Sequence, residues 1–184
     1  MFNTKGFTLF ELLVGITIVG ILAAIALPSL NNFTTKLRVD NEISELNRLL
    51  LTARNMAINS GQNVTVCPLT SSSVCGTQWQ NELTVFTDAN ANKSYETSAN
   101  EKIVKVKGAI KTNDKLQFAA DSLTFTPEGR LLSNGNNTFK FCPVNHPELS
   151  RGVVVSISGR TYKTTDTDHD GKDEDRNNTE IVCS

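Results

Sequence analysis

The sequence has few of the residues from which catalytic sites are usually built. Its only two histidines, His146 and His169, have no serine or cysteine partner at a spacing typical of nucleophilic catalysis. The four cysteines include no C-x-x-C pair, which argues against a zinc site. The formal net charge of −1 is unlike the basic balance of a general nucleic-acid binder. We therefore expect no enzymatic activity and no small-molecule substrate.

Charge is also nearly absent from one long stretch near the start of the chain. Residues 7–27 are 21 residues in which Glu11 is the only charged side chain. About 20 apolar residues of helix cross a bilayer core of about 30 Å, so this stretch predicts a membrane span. An ionisable group at membrane depth is costly, which makes Glu11 a candidate functional residue.

The residues around Glu11 carry a family resemblance. The segment Lys5-Gly6-Phe7-Thr8-Leu9-Phe10-Glu11 resembles the leader of type IV pilins and type II secretion pseudopilins. In that family a dedicated peptidase cuts after the glycine, here Gly6, and methylates the new amino terminus, here Phe7. The resemblance implies that Glu11 is the assembly residue. Its partner in the filament would then be the amine of Phe7 from a neighbouring subunit; the alternative is a Glu11 that is protonated in lipid.

The helical pattern continues beyond the span. Pro28 predicts a bend or local melting, because proline removes a hydrogen bond and clashes with the preceding turn. Apolar residues then recur at helical spacing and predict one apolar stripe: Leu30, Phe33, Leu37, Ile43, Leu46, Leu50, Ala53 and Ala57. Gly61 is expected to cap the helix.

After Gly61 the period shifts toward two, which predicts strands. The candidate strands are residues 63–67, 83–87, 103–106, 116–118, 123–125, 138–142, 153–157 and 160–163. A sheet laid against the amphipathic half of the helix gives an α+β fold. The expected organisation is a cleaved leader (residues 1–6), a transmembrane or filament-core helix (7–28), an amphipathic half-helix (29–61) and a β-rich head (62–184).

Further motifs resemble the GspH/FimT/FimU branch of minor pilins and pseudopilins, and a FimU-like member is favoured. They are Ala53-Arg54-Asn55-Met56-Ala57-Ile58, Val64-Thr65-Val66-Cys67-Pro68, Phe125-Thr126-Pro127-Glu128-Gly129-Arg130 and Ser158-Gly159-Arg160. The resemblance implies the type IV pilin fold and a minor pilin that primes pilus assembly and sits at or near the tip, serving twitching motility, adhesion or DNA uptake.

The resemblance also implies a location and a set of partners. The chain would be held in the inner membrane by a single pass, with a periplasmic head, and would later reach the extracellular pilus tip. The implied partners are other minor and major pilins, the prepilin peptidase and the inner-membrane assembly platform. The alternatives are a DNA-binding minor pilin for natural transformation and a type II secretion pseudopilin.

The four cysteines all follow the apolar stretch, and an even number in an exported domain favours disulfides. Sequence alone allows three pairings. Chain proximity favours Cys67–Cys75, which brackets a short loop, and leaves Cys142–Cys183 to close the C-terminal segment.

An acidic motif near the C-terminus resembles the opening of a calcium loop. Asp166, Asp168, Asp170 and Gly171 form D-x-D-x-D-G, and Glu174 stands at the ninth position. Carboxylates at alternate positions can converge on one hard cation. Asn177 stands where a bidentate glutamate would complete the loop, so the alternative to a calcium site is a solvated acidic hairpin.

DNA binding is the remaining alternative. Some FimT-type relatives take up DNA through a Gly-Arg-x-Arg segment, and here Gly159 and Arg160 match it while Tyr162 replaces the second arginine. Lys163 is the adjacent cation, and Arg160 and Lys163 are the candidate DNA contacts. The acidic run that follows would repel phosphates within a Debye length of about 8–10 Å.

Overall fold

The computed structural model describes Gly6, residues 8–133 and residues 137–183, with the backbone alone for residues 25–29. Phe7 therefore lies outside the described residues. The chain divides into two compact units, Met1–Leu37 and Arg38–Ser184. The helix and strands of the described part are α1 (Leu9–Ser60), β1 (Val64–Cys67), β2 (Leu83–Thr87), β3 (Ile103–Lys107), β4 (Lys115–Gln117), β5 (Leu123–Phe125), β6 (Thr138–Cys142), β7 (Arg151–Val155) and β8 (Thr161–Lys163).

Helix α1 is continuous from Leu9 to Ser60. The helix continues beyond the span, as the pattern predicted; of the bend or local melting expected at Pro28, local melting does not occur, since the backbone stays helical through this position. One missing N–H donor removes one bond, and the turns on either side keep theirs. The helix ends where glycine was expected to cap it: Gly61 has a φ of +65° and donates its N–H to the carbonyl of Ala57 at 3.1 Å.

The second unit contains the last part of α1, and here the predicted apolar stripe is buried. Its core side chains on the helix are at most 2% exposed, and they are Val39, Ile43, Leu46, Leu49, Leu50, Ala53 and Ala57. The upstream members of the stripe differ, because Leu30, Phe33 and Leu37 are 47–58% exposed in the first unit. Helical spacing alone could not show where the buried part begins.

The strands form two antiparallel sheets of four, where the sequence predicted one sheet. The first has the order β3-β2-β1-β5 and the second β4-β6-β7-β8. The pairing of β1 with β5 joins Thr65 to Thr124, so the first sheet depends on a contact between residues far apart in sequence. Such pairings are set by tertiary packing and leave no local signal.

The sheets and the end of α1 enclose a hydrophobic core rich in aromatic side chains. Trp79 packs edge-on against Phe118 and Phe139 with centroid distances of 4.9 and 5.1 Å, and these two phenylalanines stack at 4.1 Å. The indole N–H of Trp79 donates to the carbonyl of Ala120 at 2.8 Å, which satisfies the polar atom of a fully buried side chain.

Candidate functional site

The first turn of α1 is closed by a reciprocal cap between Thr8 and Glu11. The backbone N–H and the hydroxyl of Thr8 each donate to Oε2 of Glu11 at 3.0 Å, and the backbone N–H of Glu11 donates to the Thr8 hydroxyl at 3.2 Å. This is a capping box, and its T-x-x-E signature was readable in the sequence. Glu11 therefore has a structural role in the single chain besides the assembly role predicted for it.

The helix that follows this cap exposes apolar side chains on every face. All the large apolar side chains between Leu9 and Leu22 are 40–77% exposed. A helix that is apolar all round needs an apolar environment, either lipid or other subunits. Within the described residues, no helix meets the length and hydropathy required of a membrane span; the predicted span begins at Phe7 and ends among residues whose side chains are not described.

In the second unit, Arg54 joins the helix to both sheets. Its Nε donates to the carbonyl of Gly129, which follows β5, at 3.0 Å. Its guanidinium also reaches the carbonyl of Ser158, in the β7–β8 turn, at 3.5 Å. Gly159 has a φ of +76°, and a Cβ placed there would overlap the carbonyl oxygen of Gly129. The three segments that resemble the family around Arg54, Gly129 and Gly159 are therefore in contact with one another.

Two disulfides hold the head, in the pairing that chain proximity predicted. Cys67 and Cys75 are joined across 8 residues with a Cα–Cα distance of 5.5 Å. Cys142 and Cys183 are joined across 41 residues with a Cα–Cα distance of 6.1 Å. The second bond attaches the end of the chain to β6.

A pair of buried acids lies beside the first sheet. Asp88 is fully buried and accepts hydrogen bonds from the Thr65 hydroxyl at 2.7 Å and from the backbone N–H of Asn92 at 3.0 Å. Glu101 is 5% exposed and accepts from the backbone N–H of Glu96 at 2.7 Å. Burial, together with the nearby carboxylates of Asp88 and Glu96, raises the pKa of Glu101.

The predicted calcium-loop residues do come together. Asp166, Asp168, Asp170 and Glu174 each offer a carboxylate oxygen, and these oxygens lie within 4.8 Å of one another. The three aspartates are exposed, whereas Glu174 is 4% exposed. The arrangement is chemically able to surround one hard cation with oxygen atoms.

Both candidate DNA-contact residues are exposed, and the ammonium of Lys163 donates to the hydroxyl of Ser44 on α1 at 2.9 Å. The guanidinium of Arg176 lies over the ring of Tyr162, 4.0 Å from its centroid, a contact with no sequence signal. DNA binding by Arg160 and Lys163 stays a prediction.

Two family profiles match the chain. The profile described as "Type II transport protein GspH" matches residues 42–159, and the one described as "Prokaryotic N-terminal methylation motif" matches residues 1–27. The first covers more than half of the chain, including the end of α1 and most of the two sheets. The second covers the leader-like segment and the apolar stretch.

Individual relatives agree with these profiles. A fimbrial protein of Pseudomonas aeruginosa is 43% identical over 60 residues, which are 33% of this chain and 38% of the relative. The type IV major fimbrial protein FimA of Dichelobacter nodosus is 38% identical over 63 residues, 34% of this chain and 40% of the relative. This chain thus matches less than half the length of these relatives.

A solved structure is similar over a larger share of the chain. The crystal structure of the type IV minor pilin FimU of Pseudomonas aeruginosa has a TM-score of 0.54 at 22% identity, and the match covers 71% of this chain and 90% of that chain. At this identity the similarity shows the fold. An N-terminal helix on antiparallel sheets is therefore the pilin fold that the sequence predicted.

Proposed function

The chain belongs to the GspH family of pilin-like proteins, and from this premise we propose that it is a minor type IV pilin that primes pilus assembly at or near the tip. It is made as a prepilin, cut between Gly6 and Phe7, and methylated on Phe7. The apolar part of α1 holds it in the inner membrane, with its head in the periplasm, until the assembly platform moves it into the fibre. Its partners are other minor and major pilins.

The proposal rests on one observation: the start of α1 is apolar and exposed, and it has one acid in its first turn. Among the described residues, the large apolar side chains from Leu9 to Leu22 are left 40–77% exposed, and lipid or other subunits would cover them. A carboxylate brought into such a core needs a cation or a proton, since its desolvation costs several kcal/mol. A neighbouring subunit's freed Phe7 amine would supply the cation.

The test separates the charge of Glu11 from its capping role. Glutamine also completes a capping box, so Glu11→Gln keeps an acceptor for Thr8 and removes the charge. We expect this variant to be cleaved by the prepilin peptidase as the parent is, yet to be absent from sheared pili on immunoblots. Thr8→Ala, which removes the hydroxyl of the cap and keeps the charge, is the matched control and should still assemble. Normal incorporation of Glu11→Gln would contradict the assembly role.

A type II secretion pseudopilin is the second candidate, favoured by the "Type II transport protein" description of the matching family profile. A pseudopilin would have the same anchor and head, so the two functions have to be distinguished by the phenotype of a deletion strain. In a deletion strain, the minor-pilin proposal expects loss of surface pili and twitching with normal export of secreted enzymes. Loss of export with normal piliation would favour the pseudopilin.

A further inference from the structure

The C-terminal acidic loop has a feature that a solvated hairpin does not need: one of its carboxylates is buried. Glu174 is 4% exposed, and its Oε1 has no hydrogen-bond partner within the described part of the chain. Its other oxygen, Oε2, accepts from the backbone N–H and the hydroxyl of Thr167 at 2.8 and 2.7 Å. An unpartnered, ionised oxygen inside a protein is costly, and buried charges are normally paired or bound to metals.

Three further carboxylates lie around Glu174. Asp166, Asp168 and Asp170 bring their oxygens within 4.8 Å of one another and of a Glu174 oxygen. Two oxygens on opposite sides of one calcium ion are about 4.6–5.2 Å apart, because each calcium–oxygen distance is about 2.3–2.6 Å. All four oxygens are therefore close enough together to bind a single calcium ion.

The three aspartates are already oriented by the backbone of the loop. Asp166 accepts from the N–H groups of His169 and Gly171 at 2.7 and 3.0 Å, Asp168 from that of Asp170 at 3.1 Å, and Asp170 from that of Lys172 at 2.9 Å. An ionised carboxylate has about four lone-pair sites, so these bonds leave capacity for a cation. Gly171 supports the loop with a φ of +94°, in the left-handed region.

A lysine, Lys172, also lies near the carboxylate cluster, but its ammonium does not take the place of a bound ion. Its ammonium binds Glu180 at 2.9 Å and lies 3.5 Å from Oδ2 of Asp170. Its shorter contact is thus with Glu180, outside the cluster, and Asp170 is the one member of the cluster with which it pairs.

We propose that Asp166, Asp168, Asp170 and Glu174 bind one calcium ion. Calcium accepts six to eight oxygen ligands in flexible geometry, whereas magnesium demands an octahedron and keeps several waters, so a cage of four carboxylates favours calcium.

The site would tie the C-terminal tail to the head. Thr165 and Glu174 exchange backbone hydrogen bonds of 3.3 and 3.0 Å at the base of the loop. The preceding side chain, Asp173, accepts a hydrogen bond from the Thr164 hydroxyl at 2.9 Å and lies 3.6 Å from Arg151 of β7. Arg151 in turn pairs with Asp40 of α1. An ion that links the loop therefore braces the segment between β8 and the Cys142–Cys183 bond.

The test uses the full chain in non-ionic detergent, freed of metal by a chelating resin and titrated with calcium chloride. Calorimetry should show one ion per chain. The melting temperature should rise by about 5–10 °C when calcium exceeds the dissociation constant about 100-fold. Magnesium chloride at the same concentration should give a smaller rise.

Two variants make the result specific to the loop. Asp168→Asn keeps the acceptor for Asp170 and removes one charged ligand, so it should lose the calcium-dependent rise while melting normally in chelator. Asp175→Asn is the matched control, because Asp175 accepts backbone N–H groups of the same tail from outside the cluster; it should keep the rise. Absence of binding at about 1 mM calcium, an equal rise with magnesium, or equal losses in both variants would overturn the proposal.

Discussion

At the scale of single residues, local sequence patterns identified those candidate functional residues whose neighbours are close in sequence. The acid at Glu11 and the carboxylates of the 166–174 loop could be found this way, since their spacing is itself the signal. Arg54 and Glu101 could not be found, because their roles depend on residues brought near by the fold. Arg54 meets a turn 75 residues away, and Glu101 lies beside Asp88 only after β2 and β3 pair.

Glu101 gives a prediction about pH. Burial raises its pKa above the ordinary value of 4.5, so its ionised form destabilises the folded state at neutral pH. This penalty is present above the folded-state pKa and disappears as the pH falls through that value to the unfolded one. Glu101→Gln should therefore melt at a higher temperature than the parent at pH 7, with a difference that shrinks toward pH 4. A variant no more stable than the parent at pH 7 would contradict this.

Gly159 gives a prediction about backbone strain. A Cβ there would overlap the Gly129 carbonyl and would require the left-handed φ of +76° from alanine. Gly159→Ala should lower the free energy of unfolding by about 2–4 kcal/mol, as measured by urea denaturation. Gly108→Ala is the control, because nothing lies within 4 Å of the added atom and stability should change little. Equal losses of stability in the two variants would show that the contact between Gly159 and the Gly129 carbonyl does not require glycine.

At the scale of elements, strand positions were more predictable than strand partners. Strands β2, β5 and β6 have the predicted bounds, since alternating or short buried runs between turn residues mark strands locally. The division into two sheets was not predicted, because β5 pairs with β1 rather than with its chain neighbour β4. The end of α1 was predicted from Gly61 and its continuation beyond Pro28 from the apolar spacing, whereas the local melting allowed for at Pro28 does not occur.

The two disulfides are elements whose contributions can be ranked. In the chain-entropy model a loop closed across 41 residues is worth about 4 kcal/mol and one across 8 residues about 2.5 kcal/mol. Replacing Cys142 and Cys183 together by alanine should therefore lower the free energy of unfolding in urea more than replacing Cys67 and Cys75. The opposite order would show that packing around the first pair outweighs loop closure.

At the scale of the whole molecule, the proposed function depends mainly on the leader-like segment and the apolar start of α1. The family is shown mainly by the head, which the GspH profile matches. The apolar start of α1 and Glu11 could be interpreted from sequence because membrane and filament cores impose simple demands on composition. The choice between pilus and secretion fibre could not, since both use the same anchor and fold. That choice depends on surfaces of the head that meet partners absent from this chain.

The central claim is that this chain becomes a processed subunit of a fibre, and the most direct measurement is mass spectrometry of its amino terminus in sheared, purified pili. We expect a peptide that begins with N-methylated Phe7 and continues through Glu11, in fibres from cells with an active prepilin peptidase. A chain that keeps residues 1–6 in such cells, or that is absent from the fibres, would contradict the claim.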